Sequence, residues 1–215
     1  MFWIKRSLLL IPLALLFLSG CVKQEPYNYA ALEQSKPRSI LVLPPVNNTV
    51  EVNAPYIYLS TISRPLAEKG YYVFPVTVVD SLMKENGVPS PAEMHAIPLD
   101  KLTQHIGADA VLYVTIDEWG QKYEIISSRV VVRATMKLVD SRTGELLWDA
   151  EAFAQQQSGD GGGGIAGALI GAVVEQIAGS MIDRTPELSR MANAISINNK
   201  NRGLLNGPYL PEGNL

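Results

Sequence analysis

The order of apolar and polar positions in the first half of the chain predicts a strand, a helix and a second strand. The apolar run 40–43 ends at two prolines, as a short buried strand does. Residues 53–70 have a helical pattern that begins at Asn53, a potential N-cap, and ends at Gly70. The apolar run 71–76 follows it. Because two strands joined by a helix run parallel, these elements favour a right-handed βαβ unit.

Short helical patterns and a long apolar strand come next. Pro65 should kink or interrupt the first helix, because proline has no N–H to donate within the helix. Further helices are predicted over 77–86, from Ser90, which has capping-box spacing, and after Pro98. The segment 110–119 is apolar on both faces at its start, which is typical of a central strand.

Two alternating segments, 129–139 and 145–155, predict an antiparallel hairpin. Every second residue in each is apolar, and the polar segment 140–144 supplies the turn. One register buries the apolar residues and opposes unlike charges. Its pairs are Val139 with Glu145, Leu138 with Leu146, Met136 with Trp148 and Arg133 with Glu151.

The last part of the chain predicts a glycine-rich hinge over 159–164 and two helices. The first helix covers 165–182, and the second begins at a Thr-Pro pair with Leu188, Met191 and Ile195 on one face. Together these elements predict an α/β fold with a mixed sheet. The sheet begins with the parallel βαβ unit and ends with the antiparallel hairpin, and helices pack on it.

The N-terminus has the pattern of an export signal. Lys5 and Arg6 precede an apolar run over 8–18, and small residues lead to the only cysteine, Cys21. The string LSGC that ends at Cys21 resembles the lipobox of bacterial lipoproteins, in which the cysteine sulfur is diacylated and the chain is cut before the cysteine. An ordinary signal peptide with a chance cysteine is the alternative.

This pattern predicts three regions. They are a signal peptide over 1–20, a lipidated cysteine with a flexible tether over 21–38, and one α/β domain over 39–215 that includes C-terminal helices over 165–200. Removal of the signal would leave 195 of the 215 residues and change the formal charge from −3 to −5. A chain of this size can bury a core without disulfides. With 47% apolar and 18% charged residues, it is neither disordered nor a polytopic membrane protein, and nothing marks a nucleic-acid binder.

Lipidation of Cys21 would anchor the protein without a membrane-spanning helix. Each buried methylene contributes about 0.8 kcal/mol, so two or three acyl chains, such as palmitate, hold a protein durably. Val22 and Lys23 follow the cysteine, and the aspartate that enterobacterial sorting signals use for inner-membrane retention is missing. The outer membrane is therefore favoured, with a periplasmic or surface-exposed domain.

Catalytic and cofactor motifs are weak. The stretch 159–164 satisfies G-x-G-x-x-G, but almost pure glycine matches any glycine pattern, and a flexible hinge is the simpler interpretation. His95 and His105 do not have the helical spacing of metal ligands. Alternating charges explain the acidic residues Asp117, Glu118, Asp149 and Glu151 better than an acid/base pair does. We expect no enzyme activity, no metal and no cofactor other than the lipid.

The segment 165–182 is the strongest candidate for an interaction site. It is apolar almost all round, and small residues form a groove that permits close contact with another helix. Packing within the protomer, self-association and membrane insertion are all open. The candidate contact residues are Ile165, Gly167, Leu169, Gly171, Val173 and Val174.

Several strings resemble a bacterial family of conserved lipoproteins of undefined function that includes a meningococcal surface antigen. They are the lipobox and the segments 68–76 (EKGYYVFPV), 107–116 (GADAVLYVTI), 138–148 (LVDSRTGELLW) and 202–209 (RGLLNGPY). The order of elements is more distantly similar to the amino-terminal domain of TolB and to curli-export and penicillin-binding-protein-activator lipoproteins. The resemblance implies a periplasmic α/β module that binds other envelope proteins.

The expected function is that of an outer-membrane-anchored, non-enzymatic structural or adaptor module, which self-associates or binds other envelope proteins. Two alternatives remain open. One is a subunit of an outer-membrane export assembly, and the other is a small-ligand-binding protein that uses the glycine loop 159–164.

Overall fold

A six-stranded mixed sheet forms the centre of the computed structural model, which describes residues 26–123, 128–157 and 183–210. The strands are β1 (Ser39–Val42), β2 (Val46–Asn47), β3 (Tyr72–Val73), β4 (Ala110–Tyr123), β5 (Ser128–Asp140) and β6 (Leu146–Gln157). The helices are α1 (Ala30–Ser35), α2 (Ala54–Glu68), α3 (Val76–Glu85), α4 (Pro91–His95), α5 (Leu99–His105) and α6 (Thr185–Ile197). The predicted α/β class with a mixed sheet is confirmed.

The strands follow the order β3-β1-β4-β5-β6, with β2 also paired to β4. β1 lies parallel to both β3 and β4, and β2 is parallel to β4 as well. β5 is antiparallel to both of its neighbours, β4 and β6. The parallel beginning and the antiparallel C-terminal hairpin are therefore both confirmed, and β4 is the central strand that its apolar start predicts.

Both faces of β1 and of the start of β4 are buried. Ile40 and Val42 belong to the larger core, which α2 and α6 cover, whereas Leu41 and Leu43 belong to a smaller core on the opposite face. The smaller core is closed by residues of α3, α4 and α5, such as Met94. The fold thus has helices on two faces at the parallel half of the sheet.

Helix α2 continues through Pro65 to Glu68, so the predicted interruption does not occur. Proline removes one backbone donor, but the surrounding core contacts hold the helix together, since Ile62, Pro65 and Leu66 are all buried. Gly70 ends the turn after it with a φ of 85°, which glycine adopts without strain. A Cβ there would also lie 2.4 Å from the backbone nitrogen of Leu210.

The second strand is shorter than its apolar run. Only Tyr72 and Val73 pair with β1, and Pro75 occupies the N-cap position of α3, which starts at Val76. The predicted capping box is present at α4, where the Ser90 hydroxyl accepts from the backbone N–H of Glu93. Helix starts were therefore better specified by the sequence than strand ends.

The hairpin forms, but its register is two residues away from the predicted one. Leu138 pairs with Trp148 and Met136 with Ala150, whereas the prediction set Met136 against Trp148. A bulge between Leu138 and Val139 lets Leu147 enter the core and leaves Leu146 47% exposed. Because the shift is an even number of residues, the same face of each strand remains buried, which is why alternation alone did not detect it.

The predicted contact between Arg133 and Glu151 survives this shift. Phe153 lies directly opposite Arg133, and Thr135 lies opposite Glu151. The guanidinium nevertheless reaches diagonally to the Glu151 carboxylate, with 2.7 Å between Nη1 and Oε1. The ion pair is therefore correct and the direct opposition is wrong.

The buried face of α6 differs from the predicted apolar stripe. Leu188 is buried, but Met191 and Ile195 are only half-buried. Ser189 and Asn193 turn inward instead, because both hydrogen-bond to the hydroxyl of Thr61 on α2, at 2.8 Å and 3.0 Å. A polar contact between two helices thus sets the rotation of α6.

The segment predicted as a tether packs onto the domain instead. Residues 30–35 form α1, and Leu32 is 3% exposed within the larger core. Tyr27 and Tyr29 pack against the same core. The prediction of a flexible tether up to residue 38 is wrong from Tyr27 onward. The Tyr27 hydroxyl binds Asp149 on β6, and the Tyr29 hydroxyl binds Gly203 in the segment after α6.

Among the described residues, no helix has the length and apolar character that crossing a membrane requires.

Trp148 offers a direct test of the core. Its side chain is fully buried, so Trp148→Ala should lower the free energy of unfolding by about 3–5 kcal/mol through the cavity it leaves. Urea unfolding followed by circular dichroism measures this. Leu146→Ala, two residues away at a half-exposed position, should cost far less, and equal losses for the two variants would contradict this packing.

Candidate interaction site

The functional residues that the sequence singles out lie mostly outside the described residues. These are Cys21, the glycine stretch 159–164 and the candidate contact residues in 165–174. Lipidation at Cys21 and interaction through 165–182 stay predictions. The described part of the chain supplies a different set of contacts, which surround strand β6.

The two histidines lie on different helices, and His95 has structural contacts. Nε2 of His95 is 3.0 Å from the Pro44 carbonyl oxygen, and its ring stands edge-on to Tyr113 with centroids 5.3 Å apart. Burial lowers the pKa of His95, although the Pro44 hydrogen bond opposes that shift. His105 is in the last turn of α5. Among the described residues, no group of histidine and acidic side chains could hold a metal ion.

The acidic residues on the sheet are occupied by partners. Arg133 contacts Glu118 at 2.9 Å and Glu151 at 2.7 Å, and its guanidinium lies 4.4 Å from the ring centroid of Phe153. Thr135 donates to Asp117 at 2.8 Å. These contacts match the expected charged face better than an acid/base pair, which needs two carboxylates turned toward one substrate.

A clasp formed by Tyr27, Asp149 and Arg202 joins the segments before α1 and after α6 to β6. The Tyr27 hydroxyl donates to Asp149 Oδ1 at 2.7 Å and accepts from the Asp149 backbone N–H at 3.0 Å. Arg202 pairs with the other Asp149 oxygen, donates to the Asp149 carbonyl at 3.3 Å, and lies 4.9 Å from the Tyr27 ring centroid. Desolvation and the hydrogen bond to Asp149 raise the pKa of Tyr27, so the hydroxyl remains a donor at neutral pH.

Neighbouring contacts extend this clasp along the N-terminal segment. Tyr29 packs on Tyr27 with ring centroids 4.8 Å apart and donates to the Gly203 carbonyl at 2.6 Å. The buried Trp148 donates to the Arg202 carbonyl at 2.9 Å. Sequence reasoning missed the clasp because its members are more than fifty residues apart. The paired tyrosines in an otherwise polar segment were the one signal.

A second attachment lies at the other end of α1. Ser35 donates to Asp140 Oδ2 at 2.5 Å, and Asp140 also accepts from the Arg142 side chain and from the backbone N–H groups of Arg142 and Thr143. Burial alone would raise the pKa of Asp140, but the hydrogen bonds from Arg142 and Ser35 outweigh it and hold the pKa well below its usual range. The N-terminal segment is thus fastened at two points.

Beyond the clasp, the outer edge of β6 has no neighbouring strand in the part of the chain that the structure describes. The Asp149 N–H and C=O point away from β5, because they bind Tyr27 and Arg202. Along a strand the direction of these groups alternates, so those of Glu151, Phe153 and Gln155 also point outward. Among the described residues, none forms a backbone hydrogen bond to these outward groups. Such an edge is a ready template for another strand.

A shallow groove of about 310 Å³ lies between α1 and the C-terminal segment. Its walls include Leu32, Tyr71, Leu205 and Pro208, with Glu33 and Lys36 at its border. Tyr71 donates to the Leu205 carbonyl at 2.9 Å, and burial raises its pKa to about 12. The groove marks where the two terminal segments meet and presents no convergent set of reactive groups.

A family model and a curated relative both identify the chain as similar to bacterial lipoproteins. The model of the family described as "Putative lipoprotein GNA1162-like" matches residues 27–209. The lipoprotein NMB1124/NMB1162 of Neisseria meningitidis serogroup B is 43% identical over 211 residues, which cover 96% of this chain and 98% of the relative.

Solved structures include the lipoprotein GNA1162 from Neisseria meningitidis. It is 45% identical, covers 57% of this chain and 85% of its own, and superposes with a TM-score of 0.54. The PelC dodecamer from Paraburkholderia phytofirmans covers 81% of this chain and 94% of its own at 16% identity and a TM-score of 0.44. The LpoB C-terminal domain from Escherichia coli covers 56% and 85% at 18% identity and a TM-score of 0.40. The latter two are too dissimilar to support a functional argument.

Removing one hydroxyl tests the clasp. Tyr27→Phe should lower the free energy of unfolding by about 1–3 kcal/mol, because Asp149 loses one donor and one acceptor. It should also speed proteolysis of the N-terminal segment. Tyr209→Phe removes a hydroxyl from a ring that is 61% exposed and should change neither quantity. If both variants match the wild type in urea unfolding, the hydroxyl contributes nothing to this attachment.

The Asp140 attachment predicts a pH dependence. The pKa of Asp140 is lower in the folded protein than the ordinary value of 3.8, so its charge stabilises the fold above that pH and the contribution fades as the pH falls below it. Asp140→Asn should therefore be less stable than the wild type at pH 7, with a difference that shrinks below about pH 4.

Urea unfolding at several pH values measures that difference. Glu85→Gln changes an exposed carboxylate on α3 and serves as the control. A difference between Asp140→Asn and the wild type that stays constant down to pH 2 would show that the Asp140 charge is not responsible.

Proposed function

This chain belongs to the GNA1162-like lipoprotein family, and from that membership we propose that it is a lipid-anchored, non-enzymatic adaptor of the bacterial envelope. In this proposal Cys21 carries the lipid, the outer membrane is the site of anchoring, and the α/β domain binds other envelope proteins or a further copy of itself. The family description supports envelope lipoprotein status. The residues after Cys21 support the outer membrane, since neither Val22 nor Lys23 is aspartate.

The clasp carries the adaptor part of the proposal. The sequence separates Cys21 from Tyr27 by six residue steps, which span at most about 20 Å when fully extended. Since Tyr27 is fastened to β6, a lipid on Cys21 would hold the domain close to the membrane surface. That distance suits a module that positions partners at one membrane, and it is far shorter than the reach of a tether up to residue 38.

The charged side chains support a structural role over a catalytic one. Arg133 neutralises two carboxylates at once, and Asp149 and Asp140 each accept several hydrogen bonds. Side chains with this many fixed partners stabilise surfaces and loops. General acid/base catalysis instead needs a group free to exchange a proton with a substrate.

Substitution of the lipidation site tests the anchoring. Cys21→Ser in the full chain should leave the protein unprocessed or release it from membranes, because the acyl chains supply the membrane affinity. Membrane fractionation with carbonate washing and mass measurement of the mature N-terminus detect this. Val22→Ser alters the neighbouring residue and should remain processed and membrane-bound. Normal processing and membrane retention of Cys21→Ser would overturn the anchoring proposal.

A second variant tests the choice of membrane. Val22→Asp introduces the aspartate that retains enterobacterial lipoproteins in the inner membrane, so density-gradient separation should show transfer from the outer to the inner membrane in an enterobacterial host. If the unaltered chain is already in the inner membrane, the proposed localisation is wrong while the lipid anchor stands.

A further inference from the structure

We propose that two copies of this chain pair antiparallel through the open edges of their β6 strands, about a two-fold axis at Ala154. The two sheets would then form one continuous sheet. This deepens the proposed adaptor function by naming a surface and a partner, and it does not depend on lipidation of Cys21.

The clasp determines which part of the edge is free. Tyr27 and Arg202 occupy the outward backbone groups of Asp149, so an added strand can begin only beyond that residue. β6 ends at Gln157. The free edge is therefore 151–157, and its midpoint is Ala154.

This segment is suited to pairing with itself. In the register centred on Ala154, Glu151 lies opposite Gln157 of the second copy, and Phe153 lies opposite Gln155. The only charged residue of 151–157 is Glu151, so no like charges stand directly opposite each other. A register centred on Glu151 would oppose two carboxylates and would also collide with the clasp.

The other usual protections of a sheet edge are missing from the sequence of 151–157. It contains no proline, glycine or lysine, and its composition of one glutamate, two alanines, three glutamines and one phenylalanine is compatible with a strand. The clasp protects only the beginning of β6. Residues 151–157 are thus the part of this edge with which a partner strand can form backbone hydrogen bonds.

Helix α6 supplies apolar contact beside the same edge. It packs on β6, and its Ser189 faces α2 through Thr61. Met191 and Ile195 follow at helical angles that place them on the side away from Ser189. Both are half-buried, and neither is among the side chains packed against the two cores. In the paired arrangement these side chains would approach their counterparts above the joined edges.

A second copy fits this site better than the apolar segment 165–182 of the same chain. The outward groups of Glu151, Phe153 and Gln155 need a partner in strand conformation, because a helix has already satisfied its own backbone groups. The pattern of 165–182 is helical, with apolar residues at intervals of four. The second copy offers an identical free edge.

Cysteine crosslinking in the full chain tests the pairing and its register. Ala154→Cys should place the two cysteines directly opposite each other with Cα atoms about 4.5 Å apart, within the range of a disulfide. Ala152→Cys is the matched control on the same face of β6. Its two copies would be separated by about 13 Å along the strands. After mild oxidation in cells, Ala154→Cys should give at least tenfold more disulfide-linked dimer than Ala152→Cys on a non-reducing gel.

A second variant tests the role of the backbone edge. Gln155→Pro removes an outward N–H and no bond to β5, so the domain should stay folded by circular dichroism while the Ala154→Cys crosslink falls at least tenfold. An unchanged crosslink in this folded variant would overturn pairing through the edge.

The remaining outcomes also decide the proposal. A crosslink of Ala154→Cys no stronger than that of Ala152→Cys, or one to a different envelope protein, would overturn pairing with a second copy. Repeating the comparison in a Cys21→Ser background separates the two proposals. Crosslinking that persists there, whatever membrane fractionation shows, supports the pairing independently of anchoring.

Discussion

Burial of β1 and of the start of β4 on both faces is the constraint on which the rest of the structure depends. Strands buried on two sides need a layer of helices on each, and the chain supplies α2 and α6 on one face and α3 to α5 on the other. β5 and β6 have only one apolar face, so the opposite face at that half carries charged side chains such as Arg133. Among the described residues, helices therefore cover both faces of the sheet at its parallel half but only one face at its antiparallel half, and β6 is the edge strand of that half.

The terminal segments are attached at the beginning of that same strand. Tyr27 comes from before α1 and Arg202 from after α6, and Asp149 of β6 binds both. The hydrogen bonds at Asp149 are individually worth about 1–3 kcal/mol, and they act together because the arginine also stacks on the tyrosine ring. The clasp brings the N-terminal segment, and with it any lipid at Cys21, to one place on the domain.

Sequence patterns identified most elements and the direction of their strands, but not the register of the hairpin or the inward face of α6. The capping box at Ser90 and the terminator Gly70 were recognised because both depend on local backbone geometry. The hairpin register was predicted two residues away, since apolar alternation repeats every two residues and cannot distinguish such shifts. The bulge at Leu147 sets the actual register of the hairpin. The inward face of α6 was also missed, because Thr61, on another helix, attracts Ser189 and Asn193.

The sequence by itself determined the α/β class, the central place of β4 and the family resemblance, because these follow from local periodicity and from strings of neighbouring residues. It also provided the lipobox prediction at Cys21. The tertiary structure alone decided that the N-terminal segment from Tyr27 onward is attached rather than free, and that, among the described residues, the outer edge of β6 lacks a partner only beyond Asp149. Both depend on contacts between residues more than fifty positions apart, such as Tyr27 with Asp149 and Asp149 with Arg202. Local sequence patterns do not predict such long-range contacts. In the unfolded chain each of these polar groups forms its hydrogen bonds with water, and only folding brings the partners together.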